Sequence, residues 1–318
     1  MQVPSAARSD GADHGARERG GGAALAGASA PGDRGARLDA PSRHDPRSWL
    51  ERNWSHLVDA FTVALLALVI FPFVWLVQMS FRPNEDIFGY DLLFAPTLDH
   101  YRALWTGKFP GSFVNSVVTS TASTALALAL GVPASYALSR ASFRSGRRIA
   151  LWILATRMAP PIAFTIPFFL AYRAVGLLDT QLGLIIIYLT FNLALVIWMV
   201  QPFFDGLPRE LEEAAWIDGA GVWQAFRVVA LPLAAPGIAA TAVICFILAW
   251  NDFFYALILT RTNASTAPVA IVGFMQYAGW EWGRIAAAAT LVMLPVVVFA
   301  ILVRNYLIRG LTAGGTKE

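Results

Sequence analysis

Apolar runs about as long as a bilayer is thick recur along this chain, at residues 57–80, 113–138, 149–170, 182–202, 237–259 and 285–306. A helix rises about 1.5 Å per residue and the hydrocarbon core is roughly 30 Å across, so each run can reach from one side to the other. Lipid offers no water to satisfy backbone N–H and C=O groups, and a run of this length satisfies its own by coiling into a helix. The expected fold is therefore all-α: a polytopic membrane protein with six transmembrane helices. A composition that is 57% hydrophobic and 14% charged excludes an ordinary soluble domain. A net charge of +3 and a pI near 9.2 would suit nucleic acid, but the arginines lie in segments flanking the runs, which is the pattern of membrane topology. Membrane lipid is the expected partner and nucleic acid is not.

Charge also orients the spans. Residues 139–148 carry Arg140, Arg144, Arg147 and Arg148 and no acid, which marks them as cytoplasmic under the positive-inside rule. With six spans both termini then lie inside. On the outer side this leaves only Arg82, Arg102, Lys108, Arg173, Arg261 and Arg284, against a larger inside set. Residues 1–48 are rich in Gly, Ala, Ser, Pro, Arg and Asp with almost no large apolar side chain. Such a segment cannot bury enough surface to offset its ordering entropy, so a disordered cytoplasmic tail is expected, with residues 49–318 as the transmembrane domain. The outer loop after the first span, residues 81–110, holds Phe88, Tyr90, Tyr101 and Trp105 as interfacial anchors.

Several polar residues fall inside the runs. Asn115, Ser116, Thr119, Ser120, Thr121, Ser123 and Thr124 crowd the start of the second span, where small polar residues serve either close helix packing or a polar path. Arg157 in the third span either faces the bundle interior or snorkels to the interface, and Pro160-Pro161 interrupts that span. Asn192 lies within the fourth span. Asn251 and Asp252 lie in the fifth, beside Trp250 and near Tyr255, a mixture of aromatic faces and polar groups that suits a sugar as well as it suits helix packing. Asn115, Thr119, Arg157, Asn192, Asn251 and Asp252 are the candidates for a translocation path. His14, His44, His56 and His100 all lie outside the spans, and the one cysteine, Cys245, lies in an apolar run as a packed thiol. Neither a metal site nor a catalytic cluster is expected. No GxxxxGK[ST] sequence occurs, so this chain is not expected to hydrolyse ATP or to bind a cofactor.

Between the fourth and fifth spans the chain turns polar, over residues 207–236. Pro208 suits a first helical position, and Glu210, Glu212 and Glu213 complement the helix dipole in the first turns. A helix is expected from about Pro208 to Asp218. Gly219 stands where a left-handed residue commonly closes a helix. Val222, Phe226 and Val229 then recur at helical spacing until Leu231-Pro232, where a second helix is expected to end.

Glu213-Ala214-Ala215, then three residues, Gly219, nine residues, Val229, one residue and Leu231-Pro232 resembles the EAA loop of ABC importer permeases, with valine at 229 where the pattern favours isoleucine. Asn115-Ser116, the stretch from Tyr136 to Arg140, the Pro160 and Pro167 spacing, the stretch from Gly176 to Thr180, Trp250-Asn251-Asp252-Phe253, and the ending from Gly310 to Lys317 are similar to the maltose-type carbohydrate permeases. The likeness covers residues 57–318. It implies an ABC importer type I permease fold in a bacterial inner membrane. The implied partners are a dimer of ATP-binding subunits, which hold ATP and Mg, a second homologous permease chain, and an extracytoplasmic solute-binding protein. The implied cargo is a sugar or sugar alcohol. In the resemblance Leu211, Glu213, Ala214, Ala215, Asp218 and Gly219 couple to the ATPase. The alternatives are a permease of the same class for another small polar solute, and an ion-coupled secondary transporter, which would need an internal inverted repeat.

Overall fold

The computed structural model describes residues 46–89, 94–141, 146–158, 160–276 and 279–313. Most of the tail expected at 1–48, the Tyr90 anchor, Arg144 and the C-terminal residues 314–318 lie outside the described residues. The chain divides into two units between Ala60 and Phe61, and the packing set out below is that of the second.

The described helices are α1 (Pro46–Ser80), α2 (Asp99–Trp105), α3 (Phe109–Arg140), α4 (Gly146–Ala155), α5 (Thr165–Ala174), α6 (Gln181–Asp205), α7 (Glu210–Ile217), α8 (Val222–Ala225), α9 (Leu231–Trp250), α10 (Phe254–Leu259), α11 (Ala267–Val272) and α12 (Trp282–Ala313). Two strands of two residues each, β1 (Met275–Gln276) and β2 (Gly279–Trp280), pair antiparallel ahead of α12 and are the one departure from an all-helical fold among the described residues. Helical stretches long and apolar enough to cross a membrane run over His56–Ser80, Phe109–Arg140, Gln181–Asp205, Val222–Trp250 and Trp282–Ile301. Four of the six expected spans, 57–80, 113–138, 182–202 and 285–306, are therefore each carried by one helix, and most of the span at 237–259 by another.

The remaining expected span, 149–170, is divided. α4 stops at Ala155, and helix resumes as a 3-10 turn over Pro161–Phe164 that leads into α5. Pro160 is extended, at φ −63° and ψ 130°, because the proline that follows it disfavours the helical region for the residue before. The fifth span differs in the opposite sense. Its helix does not end at Leu231-Pro232 but runs unbroken from Val222 through Trp250 and stops ahead of 259. A π turn over Phe226–Ala230, closed by the Leu231 N–H on the Phe226 carbonyl, widens the helix just where the Pro232 ring would strike the preceding turn. Asn251–Phe253 then break the helix, and α10 carries the rest of the run.

Packing centres on α3, α6 and α9. Ala127, Val132 and Tyr136 of α3 meet Leu195, Val196, Val200 and Phe204 of α6, with Phe226, Ala230, Ala234 and Cys245 closing the cluster. The polar half of α3 lies in this interface with Ser116, Thr119, Ser120, Ser123 and Thr124 buried. Thr119 Oγ1 bonds back to the Asn115 carbonyl at 2.7 Å and Ser120 Oγ to the Ser116 carbonyl at 2.5 Å, while Thr124 Oγ1 is buried without a partner among the described residues; small polar side chains of this kind permit close approach of helices. A second cluster joins Tyr172 of α5, Leu184, Ile187 and Tyr188 of α6, Ala249 of α9 and Tyr255, Ala256 and Leu259 of α10. A third joins Leu104 and Phe109 to Ala267 of α11 and Ala287 and Ala288 of α12.

Candidate functional site

The polar hairpin forms a site of its own. α7 is shorter than expected, starting at Glu210 rather than Pro208 and ending at Ile217, with Asp218 as its cap. Gly219 has φ +90°, and the turn closes with the Gly219 N–H on the Trp216 carbonyl at 3.0 Å and the Ala220 N–H on the Ala215 carbonyl at 2.9 Å. Those two bonds are a Schellman motif, which requires the left-handed residue that glycine adopts freely. Nothing lies within 4 Å of where a Gly219 Cβ would be, so backbone conformation rather than space selects glycine there.

One face of the hairpin is anchored. The Tyr136 hydroxyl donates to Glu212 Oε2 at 2.6 Å, and Arg140 donates to Glu212 Oε1 from Nε at 2.9 Å and from Nη2 at 2.7 Å. Only 3% of the Glu212 side chain is exposed and 16% of that of Arg140. Arg140 is the last residue of α3, where a cation offsets the C-terminal end of the helix dipole, and Glu212 stands in the first turn of α7, where an anion offsets the other pole. Above this pair the Tyr136 ring meets Phe204 at 5.4 Å and Phe226 at 4.8 Å between centroids, and Trp223 stacks on Phe226 at 5.0 Å.

The other face is open. Leu211 is 45% exposed, Trp216 45% and Ile217 87%, with Glu213, Ala214 and Asp218 exposed among them and Ala215 half-buried. Neighbouring residues on a helix point about 100° apart, so of the adjacent acids Glu212 turns into the bundle and Glu213 turns out. Spacing within the hairpin did not distinguish them. Tyr136 and Arg140, one helical turn apart at the end of α3, were visible as a pair of polar groups on one face, but their partner lies 72 residues or more further along the chain.

The polar residues of the spans separate into tied and free. Asn115 Nδ2 donates to the carbonyls of Asn263 at 2.9 Å and Ser265 at 3.0 Å, and its Oδ1 accepts from Gln181 Nε2 at 2.6 Å. Thr119 is buried and bonded to its own helix. Asn192 is buried, donating to the Cys245 carbonyl at 3.3 Å, and the Cys245 thiol is fully buried beside it as expected. Asp252 Oδ2 accepts from the Tyr188 hydroxyl at 3.0 Å and from the Ala256 N–H at 3.2 Å, which caps α10 across the helix break. Asn251 is exposed. Arg157, half-buried in the turn after α4, makes no ion pair among the described residues. Thus Asn251 and Asp252 adjoin at the α9–α10 break, Asn115 is tied to the loop after α10, and Asn192 is tied to α9 at Cys245.

At the end of the bundle away from the hairpin, Asp179 performs a task its sequence position did not announce. With φ +57°, it presents its carboxylate to the backbone N–H groups of Arg261, Thr262, Asn263 and Ala264 at 2.9 to 3.2 Å. Burial raises its pKa, but these bonds together outweigh burial and hold the carboxyl below the usual range.

Residues 127–313 match the family model described as binding-protein-dependent transport system inner membrane component. The trehalose transport system permease protein SugB of Mycobacterium tuberculosis is 38% identical over 258 residues, covering 80% of this chain and 94% of that one. The trehalose/maltose transport system permease protein MalG of Thermococcus litoralis is 33% identical over 267 residues, covering 82% and 95%. A solved bacterial ABC transporter involved in the import of the acidic polysaccharide alginate shares the fold, with a TM-score of 0.68 at 24% identity over 80% of this chain and 97% of that chain.

Proposed function

Since the chain belongs to the family of binding-protein-dependent transport system inner membrane components, we propose that it is the transmembrane subunit of an ATP-driven importer that moves a carbohydrate or sugar alcohol into the cytoplasm. The cargo class is supported by the relatives named for trehalose and for trehalose and maltose transport. A periplasmic binding protein as partner is supported by the solved alginate transporter in complex with one. Both termini and the hairpin lie on the cytoplasmic side, in keeping with the arginines of residues 139–148.

The single observation that carries the coupling role is the outward face of α7. An eight-residue polar helix that keeps Leu211, Trp216 and Ile217 exposed around Glu213 and Ala214 is a surface made for a protein partner. Its occupant is an ATP-binding subunit, which holds ATP and Mg, since this chain carries no Walker sequence. Ala214 and Ala215 let a groove approach the backbone, and Glu213 supplies the charged contact. Closure of two such subunits would shift α7. The aromatic cluster of Tyr136, Phe204, Trp223 and Phe226 passes that shift to α9 and α3 as a switch of access from one side to the other.

Reconstitution tests the reading. The chain with its partner permease, ATPase and binding protein is placed in vesicles, and ATP-dependent uptake is measured for wild type, Glu213→Ala and Gly219→Ala. Loss of uptake with weakened copurification of the ATPase is expected for Glu213→Ala. Unaltered transport in both variants, or uptake without the ATPase subunits, would reject it, the latter in favour of an ion-coupled transporter. Thermal shift of the cognate binding protein against mono-, di- and trisaccharides and polyols identifies the cargo.

A further inference from the structure

We infer that Glu212 is a positioning residue of the transport cycle: gripped by Arg140 and Tyr136, it ties the coupling helix α7 directly to the end of α3 and delivers displacement of α7 to that span. The inference rests on the reading that the hairpin docks an ATPase subunit, and adds the route by which work leaves it.

Three observations carry it. A carboxylate buried on a short, otherwise exposed helix is costly unless its charge and lone pairs are met, and once met the link is costly to open. Glu212 satisfies both oxygens, Oε2 with Tyr136 and Oε1 twice with Arg140. Secondly, the covalent routes out of α7 are compliant. Gly206 precedes it, and Gly219 and Gly221 follow it, so a push carried by the backbone alone would be spent in bending those turns. The ionic link bypasses both. Thirdly, α3 is one continuous helix of 32 residues. Towards its far end Asn115 is bonded to the carbonyls of Asn263 and Ser265 and to Gln181. Pro133 lies within that helix, but Ala127, Val132 and Tyr136 on either side of it are packed into the cluster with α6, so a pull at Arg140 acts on a continuous, packed helix whose other end holds the loop after α10. Glu213 grips the motor and Glu212 grips the span, two adjacent acids on opposite faces of one helix.

The test uses the complete importer in vesicles, with three readouts: copurification of the ATPase, ATP hydrolysed, and solute moved per ATP. Glu212→Gln keeps the shape and removes the charge. It is expected to assemble and hydrolyse ATP while solute per ATP falls roughly five- to tenfold, the lower end of an ordinary coupling energy. Exchanging the pair, with Arg140→Glu and Glu212→Arg together, is expected to recover most of the ratio, which a merely structural lesion would not. An assembled Glu212→Gln importer with an unchanged ratio overturns the inference and leaves the docking reading standing. Failure of the wild-type chain to hold the ATPase overturns the docking reading itself. If Glu212→Gln does not accumulate, Tyr136→Phe removes one bond of the three and is read on the same ratio. About a twofold fall supports the link, and no fall overturns it.

Discussion

Replacing Gly131 by alanine would set a Cβ 2.6 Å from Val196 Cγ1, 2.9 Å from Val196 Cβ and 3.3 Å from Leu193 Cδ1. Carbon atoms pack comfortably at about 3.5 to 4.0 Å, so α3 and α6 would have to part locally by about 1 Å. In favour of alanine stand about 1 kcal/mol of helix propensity and about 0.8 kcal/mol for one more buried methyl. Against it stands the neighbourhood: Val196 is fully buried among Ala127, Val132, Leu195 and Val200, and has nowhere to go. Parting the helices loosens that whole cluster, and with a contact as short as 2.6 Å the cost belongs near about 3 kcal/mol, the upper end for overpacking, which exceeds both gains together. A net loss of about 1 kcal/mol is expected, read as a lower melting temperature of the detergent-purified protein by tryptophan fluorescence. Gly111→Ala serves as the control in the same helix, because nothing lies within 4 Å of its Cβ position; it should melt at or above wild type. Adding Val196→Ala to Gly131→Ala removes the nearest atom but leaves the Cβ at 2.9 Å, so the double variant should be more stable than the sum of the single effects. If Gly131→Ala melts at or above wild type, the close approach inferred for α3 and α6 is wrong.

Four further outcomes rest on contacts elsewhere in the chain. Because the Asp179 carboxyl titrates below its usual range in the folded chain, it stabilises the fold fully above its unfolded pKa, and that contribution fades as pH falls from about 5 through the lowered folded value. The difference in melting temperature between wild type and Asp179→Asn should therefore be larger at neutral pH than in acid below the ordinary carboxylate range; a constant difference would refute the clamp. Gly219→Ala forces a side chain to φ +90° at a cost of about 1 to 2 kcal/mol, so proteolysis within the hairpin should quicken while the rest of the chain resists as before. Asp252→Ala removes the cap of α10 and a partner of buried Tyr188 and should cost about 1 to 3 kcal/mol of stability. Asn251→Ala, at an exposed position, should leave melting unchanged and weaken solute uptake, and the reverse pattern would exchange their roles.

Much of this was readable along the chain. Span-length apolar runs, the arginine-rich loop and the glycine turn at 219 are local signals, and local backbone chemistry answers to them. Pro160-Pro161 likewise announced a break, which became two helices. Pro232 misled, because whether a proline ends a helix depends on the turn before it, and the π turn at Phe226–Ala230 relieves the clash. The path candidates divided for a related reason. A polar residue in an apolar run looks alike whether it lines a pore or ties helices together, and only its partners separate the two.

By itself the sequence determined that this chain crosses a membrane repeatedly and carries a polar helical hairpin between two spans, because hydrophobicity over twenty residues and turn chemistry over four are properties of neighbours. Tertiary structure alone decided which of two adjacent glutamates turns inward, and that Asp179 closes on the N–H groups of a loop more than eighty residues away. Those choices depend on what stands opposite each side chain, and distance along the chain carries no record of that.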